Sequence, residues 1–252
     1  MITYCRNCNT EINGKYCSNC GQKSETHKIN FLYLWHELQH ELTHLDKGIL
    51  FTVKELFIRP GNTLREYIEG KRVKHFKPVS LVLVLASVYG LLSHYFQINL
   101  LSNNYEITGS GEKFNQINNM AVKMSEWLSE HFSVVALLFI PVFSLGTYLA
   151  FKSTGYNYFE HFIINTYLTG QRLFLHILVF PLYYFFNGTP DLRTIARITD
   201  LTGYVLMAWA LMQLFNMLTV NQRIFRTALS FLITFTIQFV IFYEASRYFL
   251  NL

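Results

Sequence analysis

Apolar residues run in long unbroken blocks through the second half of the chain and in spaced stripes through its first third, so two kinds of helix are expected. From Pro78 to about Leu100 the chain carries no Asp, Glu, Lys or Arg, enough length to cross a hydrocarbon core at ~1.5 Å per residue. Phe132 to Phe151, Phe162 to Phe186, Leu201 to Val220 and Thr227 to Phe249 repeat that pattern. The expected fold is an all-α polytopic membrane protein with about five transmembrane helices, spread over residues 78–252. Arg172 interrupts the third block, and Glu244 and Arg247 sit near the end of the fifth, so the number falls to four if one of these lies flat on the interface.

The striped region comes earlier. Phe31, Trp35, Leu38, Leu42, Leu45, Ile49, Val53 and Leu56 recur at steps of three and four, which predicts one amphipathic helix from about Asn30 to Ile58, closed by Arg59-Pro60-Gly61. A short second helix follows, capped at Asn62 or Thr63, with Thr63 and Glu66 as a capping box and Gly70 as its stop. Residues 29–77 therefore read as cytosolic juxtamembrane helices, lying under the bundle, on the inner leaflet or against a second subunit. Residues 101–131 form the one sizeable loop: Ser102 to Gly111 reads as a turn, and Ile117, Met120, Ala121, Met124, Trp127 and Leu128 as an amphipathic helix on the outer leaflet.

Composition agrees with lipid as the solvent. Charged residues make up 15% of the chain and hydrophobic ones 51%, against the ~25% charged content of soluble domains. Lys71, Arg72, Lys74 and Lys77 crowd the entrance to the first span, which places the N-terminus in the cytoplasm and the protein in the inner (cytoplasmic) membrane. With five crossings the C-terminus is outside. The same basic residues attract anionic membrane lipids.

Cys5, Cys8, Cys17 and Cys20 are the only cysteines, and they form two Cys-x-x-Cys pairs with eight residues between them. This is the spacing of a zinc ribbon, here residues 1–24, in which four thiolates close a tetrahedral Zn²⁺ site. Gly21 fits the positive-φ position of such a knuckle, and from Tyr4 to Gly21 only Tyr4, Ile12 and Tyr16 are apolar besides the cysteines, so metal must supply most of the folding energy. Disulfides would need an oxidising compartment, yet Ile2 to Thr10 is polar and carries no secretory apolar run. Closed coordination makes the site structural, not catalytic. Arg6, Lys15 and Lys23 are too few cations for nucleic acid. Docking to a protein partner, or within a homo-oligomer, suits the ribbon better.

Leu45-Asp46-Lys47-Gly48, Thr52, Leu56, Arg59-Pro60-Gly61, Leu64-Arg65-Glu66-Tyr67, Gly70-Lys71-Arg72, Phe76 and Pro78, behind the four-cysteine ribbon, resemble an uncharacterised bacterial family of multi-pass membrane proteins, one of the domain-of-unknown-function families. Tyr156-Asn157 and Glu160-His161 look like a further feature of it. The resemblance implies architecture and brings no reaction, ligand or partner.

Two constellations compete for chemistry. His36-Glu37-Leu38-Gln39-His40 is an H-E-x-x-H, overlapped by a second from His40 to His44. In metalloproteases that spacing holds Zn²⁺ between two imidazoles while the Glu activates water. No third-ligand motif follows, so a solvated polar face is the better account of His36, Glu37, His40 and His44. Inside the third span, His161, Asn165, Thr169, Arg172 and His176 share one face that Tyr183 continues. An arginine there must point into the bundle or a wet cavity. Such a seam holds helices together by default, or binds an anionic lipid or solute, or relays protons; Glu244 is the acid the spans offer as partner for Arg172. The sequence thus supports a non-enzymatic integral membrane protein with a structural zinc ribbon, with a transporter or lipid-handling protein and a membrane metallohydrolase as the alternatives.

Overall fold

Helix caps and breakers set most element boundaries in the computed structural model, which describes residues 3–24, 26, 28–34, 48–98, 127 and 132–250. A two-stranded antiparallel ribbon comes first, with β1 (Thr3–Tyr4) paired to β2 (Glu11–Ile12) through Thr3 opposite Ile12. Then follow α1 (Ile49–Ile58), α2 (Pro60–Ile68), α3 (Pro78–Tyr95), α4 (Phe132–Phe151), α5 (Tyr158–Phe185), α6 (Asp191–Leu214) and α7 (Val220–Leu250), with a 3₁₀ turn at Lys152–Thr154. The fold is an all-α polytopic membrane protein carrying a small four-cysteine module at its N-terminus.

Four helical stretches are long and apolar enough to cross a membrane: Pro78–Tyr95, Val134–Thr154, Asp191–Leu214 and Val220–Ala245. The expected third span is α5, whose 28 residues give it the length to cross. Its polar face keeps it out of that apolar set. That face is buried because α5 is the axis of the bundle, packed by α3, α4, α6, α1 and α2. Ile163, Ile164, Tyr167 and Leu168 on α5 are at most 1% exposed and form the core with Leu81 of α3 and Leu211 and Leu214 of α6. α7 packs mainly on α4.

Several starts differ from the sequence reading, among them α7, which begins at Val220 and not Thr227. The fourth block begins at Asp191, not Leu201, because the first turns of α6 carry Asp191, Arg193 and Arg197 and read as loop by hydropathy. In the juxtamembrane unit α2 begins at Pro60, which takes the first helical position where its missing N–H costs nothing. Thr63 is therefore inside the helix and donates back to the Arg59 carbonyl at 3.0 Å, while Glu66 accepts from Arg59 at 2.8 Å. No Thr63–Glu66 capping box forms. Gly70 ends α2 with φ +102° and Pro78 opens α3, both as the sequence predicts.

Of the long amphipathic stretch, residues 31–34 and α1 are helical, whereas 35–47 lie outside the described residues. The helix expected in 114–128 falls outside them as well, apart from Trp127. α1 and α2 pack on the flank of the bundle: Val53 and Leu56 are buried, the Leu56 carbonyl accepts from Gln171 at 2.8 Å, and Tyr67 meets the Tyr167 ring at 5.2 Å. Gly61 lets α2 lie against the end of α6, since any Cβ there would overlap Gln213 and the Leu214 backbone. Arg65 then caps α6, donating to the carbonyls of Gln213 at 2.9 Å and Leu214 at 2.6 Å and to the Asn216 side chain at 3.0 Å. Those carbonyls are the orphan acceptors every helix leaves at its C-terminus, and a guanidinium also complements the negative end of the helix dipole.

Candidate metal centre and polar seam

The four cysteines sit on two matching turns. In the first, the Cys5 carbonyl accepts from Asn9 N and Cys5 N donates to the Thr10 carbonyl; in the second, Cys17 does the same with Gly21 and Gln22, and all four bonds are 2.8–2.9 Å. Each turn reverses on a left-handed residue directly after its second cysteine, Asn9 at φ +60° and Gly21 at φ +75°. Glycine takes that conformation freely and asparagine is one of the few other residues that tolerate it. Asn9 was missed in the sequence, though its place one residue after Cys8 mirrors Gly21 after Cys20.

The four Sγ atoms lie within 4.8 Å of one another, so the set can hold a metal ion. Cys5 and Cys20 approach to 3.5 Å, as do Cys8 and Cys17. A tetrahedral ion with ~2.3 Å bonds to sulfur needs edges of ~3.8 Å, which small side-chain shifts supply. As thiols Cys5 and Cys8 do not ionise alike: burial pushes Cys5 up to about 11, whereas hydrogen bonding with the Thr10 side chain and backbone draws Cys8 down to about 6. A divalent cation removes that inequality by holding all four as thiolates.

This module is seated on the membrane-proximal turn between α2 and α3. Gln22 is 4% exposed; its side-chain amide donates to the Gly70 carbonyl at 3.0 Å and its oxygen accepts from Arg72 N at 3.2 Å and Val73 N at 3.0 Å. Arg6 reaches the Glu69 carbonyl at 3.4 Å. The turn is held from the other side too, since the Arg72 guanidinium lies over Tyr33 at 4.6 Å and Tyr67 at 5.2 Å. Further along, Ile29 is fully buried and its carbonyl accepts from the Asn157 side chain at 3.1 Å. Asn157 also forms a reciprocal capping box with Glu160 that starts α5. The pattern Asn-x-x-Glu ahead of an apolar run is a readable start signal for α5.

Beside the turn, His75 and Glu66 are 3.7 Å apart, and Arg59 bonds both Glu66 and Glu55. Burial lowers the His75 pKa below 6.5 and the Glu66 charge opposes this only in part. For Glu66 burial acts upward, but hydrogen bonds and charge from Arg59, helped by His75, bring the net shift below 4.5.

The polar face expected along α5 is buried, and it divides into two clusters. At the N-terminal end His161 Nδ1 is 3.2 Å from the Thr147 hydroxyl of α4, and Asn165 donates to the same oxygen at 2.8 Å. Phe215 stacks on the His161 ring at 6.0 Å. Further along, Arg172 reaches Asp200 of α6 at 3.4 Å and covers the Tyr204 ring at 4.3 Å. His176 joins them, with Nε2 3.3 Å from the same Asp200 oxygen and Nδ1 3.0 Å from the Tyr183 hydroxyl. Glu244 is exposed on α7 and is not the partner of Arg172. Asp200 escaped the sequence reading because it stands one residue before the apolar block at Leu201. His36, Glu37, His40 and His44 lie outside the described residues.

Residues 46–90, spanning α1, α2 and most of α3, match a family described as a protein of unknown function (DUF3667). Neither a curated protein nor a solved structure matches the chain. The matched stretch holds the α2–α3 turn on which the cysteine module sits.

Proposed function

We propose that the chain is a non-enzymatic integral protein of the inner (cytoplasmic) membrane, in which Zn²⁺ folds an N-terminal cytoplasmic ribbon and the ribbon serves as a docking module. In this reading α5 crosses together with the four apolar spans. The ribbon's first dock is the protein's own juxtamembrane turn, and the observation that carries this is the buried Gln22 amide bridging Gly70, Arg72 and Val73. Clamping that turn fixes the basic segment from Lys71 to Lys77 where the first span enters the bilayer, a position suited to anionic lipid headgroups. Tyr4 and Tyr16, each 59% exposed, leave an aromatic outer face on the ribbon for a protein partner or a second copy. With Arg6 engaged on Glu69, the ribbon offers little cationic surface to nucleic acid.

Metal analysis tests this reading against the membrane metallohydrolase. One Zn²⁺ per purified chain, lost in Cys17→Ser and retained in His40→Ala, is the expected result. A second equivalent that His40→Ala removes would move the chemistry to His36, Glu37, His40 and His44.

The seam supports a second reading, a transporter or lipid-handling protein. Its specific support is that His161 Nε2 and Asn165 Oδ1 are buried without a hydrogen-bond partner among the described residues. An Asn165→Ala chain that retains its stability but loses its cellular phenotype would favour this reading over the structural one.

A further inference from the structure

α1 and α2 are neighbours in one unit, yet their outer faces differ. On α2 the exposed residues are polar, Asn62 and Glu69. On α1 they are apolar: Leu50 is 77%, Ile58 57% and Phe51 36% exposed. Their spacing sets all three on one face of the helix, with Lys54 exposed among them. Glu55, at the edge of that face, is bonded to Arg59. A helix apolar on every side needs cover on every side, and the bundle covers the side of Thr52, Val53 and Leu56.

The depth of α1 beside α3 and α5 identifies that cover. α3 lies along α5 with Leu81 against Gly170, where a Cβ would stand 3.1 Å from the Leu81 side chain. Three residues nearer the start of each helix, the Tyr167 hydroxyl donates to the Phe76 carbonyl at 2.7 Å. Tyr167 is therefore level with the entry of the first span at Pro78. Gln171 and Phe174 follow further along α5, ~6 and ~10 Å past that level at ~1.5 Å per residue. These are the residues that α1 meets: the Leu56 carbonyl accepts from Gln171 at 2.8 Å, and the Phe57 ring is 5.9 Å from that of Phe174.

The other end of α1 stays at the entry level. A Cβ on Gly48 would stand 3.2 Å from the Lys74 carbonyl oxygen, and Phe76 N donates to the Thr52 hydroxyl at 2.7 Å. α1 therefore slants from the level where α3 begins to the ~5–10 Å depth at which interfacial helices bury their apolar face. Charge agrees with lipid on that face. Lys54 stands among the apolar residues, and Lys71 and Lys74 lie on the turn beside Gly48, all suited to anionic headgroups. A second copy meeting the same face across a two-fold axis would instead bring Lys54 up against its own counterpart.

We propose that the outer face of α1 is a lipid-insertion surface: Leu50, Phe51 and Ile58 sit among the acyl chains of the leaflet in which α3 begins, and Lys54 extends from them to a headgroup phosphate. This rests on the reading of α3 as a span. The test places p-benzoylphenylalanine at Leu50, Ile58, Asn62 or Leu91 of the chain, reconstituted in liposomes of phosphatidylethanolamine and phosphatidylglycerol. After irradiation, adducts are identified by mass spectrometry and on denaturing gels. Leu91, 71% exposed on α3, reports on the span itself. Phospholipid adducts are expected at Leu50 and Ile58 as at Leu91, with a far smaller yield at Asn62. Adducts at Leu91 with none at Leu50 and Ile58 overturn the proposal and leave the span reading standing, whereas none at Leu91 overturns both. A cross-linked dimer from Leu50 or Ile58 makes a second copy the occupant and overturns the proposal. A lipid yield at Asn62 equal to that at Leu50 overturns it too.

Discussion

The cysteine module and the α5–α6 seam are both polar sites, yet they are held by different means. Within the module the two turns are closed by local partners: Cys5, Asn9 and Thr10 make one turn, Cys17, Gly21 and Gln22 its copy, and the metal-binding set joins them. In the seam most partners are distant, Thr147 coming from α4, Asp200 from α6 and Tyr89 from α3, with Tyr183 added from α5 itself. In the reading proposed above, a module of local contacts depends on its ion. A seam of distant contacts depends on the bundle being assembled first.

That contrast is broken most severely by Cys17→Ser. Structural Zn²⁺ sites carry about 10–16 kcal/mol of binding energy that is also folding energy, so residues 3–24 should become protease-sensitive while the helical circular dichroism of the detergent-solubilised chain changes little. Bundle and module losing structure together would show that they are not separate folding units. Next in size, Gly61→Val forces α2 off the end of α6; overpacking of this kind costs about 1–3 kcal/mol or more, and the thermal midpoint should fall with metal content unchanged. Arg65→Met deprives the C-terminus of α6 of its cap, at about 2–3 kcal/mol for charge-assisted bonds. Gln22→Ala acts on the contact between the two regions. It leaves the Gly70 carbonyl and two amides to find water, about 1–3 kcal/mol, and should loosen docking with zinc still bound.

The smallest expected effect is that of pH. His75 titrates below its ordinary value because of burial, so the folded chain binds its proton less readily than the unfolded one. Its share of stability is therefore complete above about pH 6.5 and declines as pH falls below that value. The lowered carboxyl of Glu66 extends the decline, its contribution being present above about pH 4.5 and lost on further acidification. His75→Gln should flatten the melting curve's dependence between pH 6.5 and 5, and an unaltered dependence would contradict the assignment.

Legibility in the sequence follows the same division. The cysteines, Gly21, Pro78 and Gly70 act through neighbours a few residues away, so spacing alone reveals them. The apolar blocks place helix centres well, because a lipid-facing helix needs little beyond length. Hydropathy failed at the start of α6, where charged first turns conceal nine residues of helix, and with them Asp200. The seam's residues on α5 were visible by their shared face, but their partners were not, since nothing in a single helix says which neighbour will face it. Gln22 was invisible for the same reason: a glutamine after Cys-Gly looks like solvent-exposed loop until the α2–α3 turn is set against it.

Amide hydrogen exchange at Arg72 and Val73, in the metal-loaded chain and after chelation, tests the central claim most directly. If the metal-folded module clamps the juxtamembrane turn, both amides are protected when metal is bound and exchange much faster once it is removed, while α5 is unaffected. Equal exchange in the two states would contradict the clamp and leave the module a passenger on the membrane bundle.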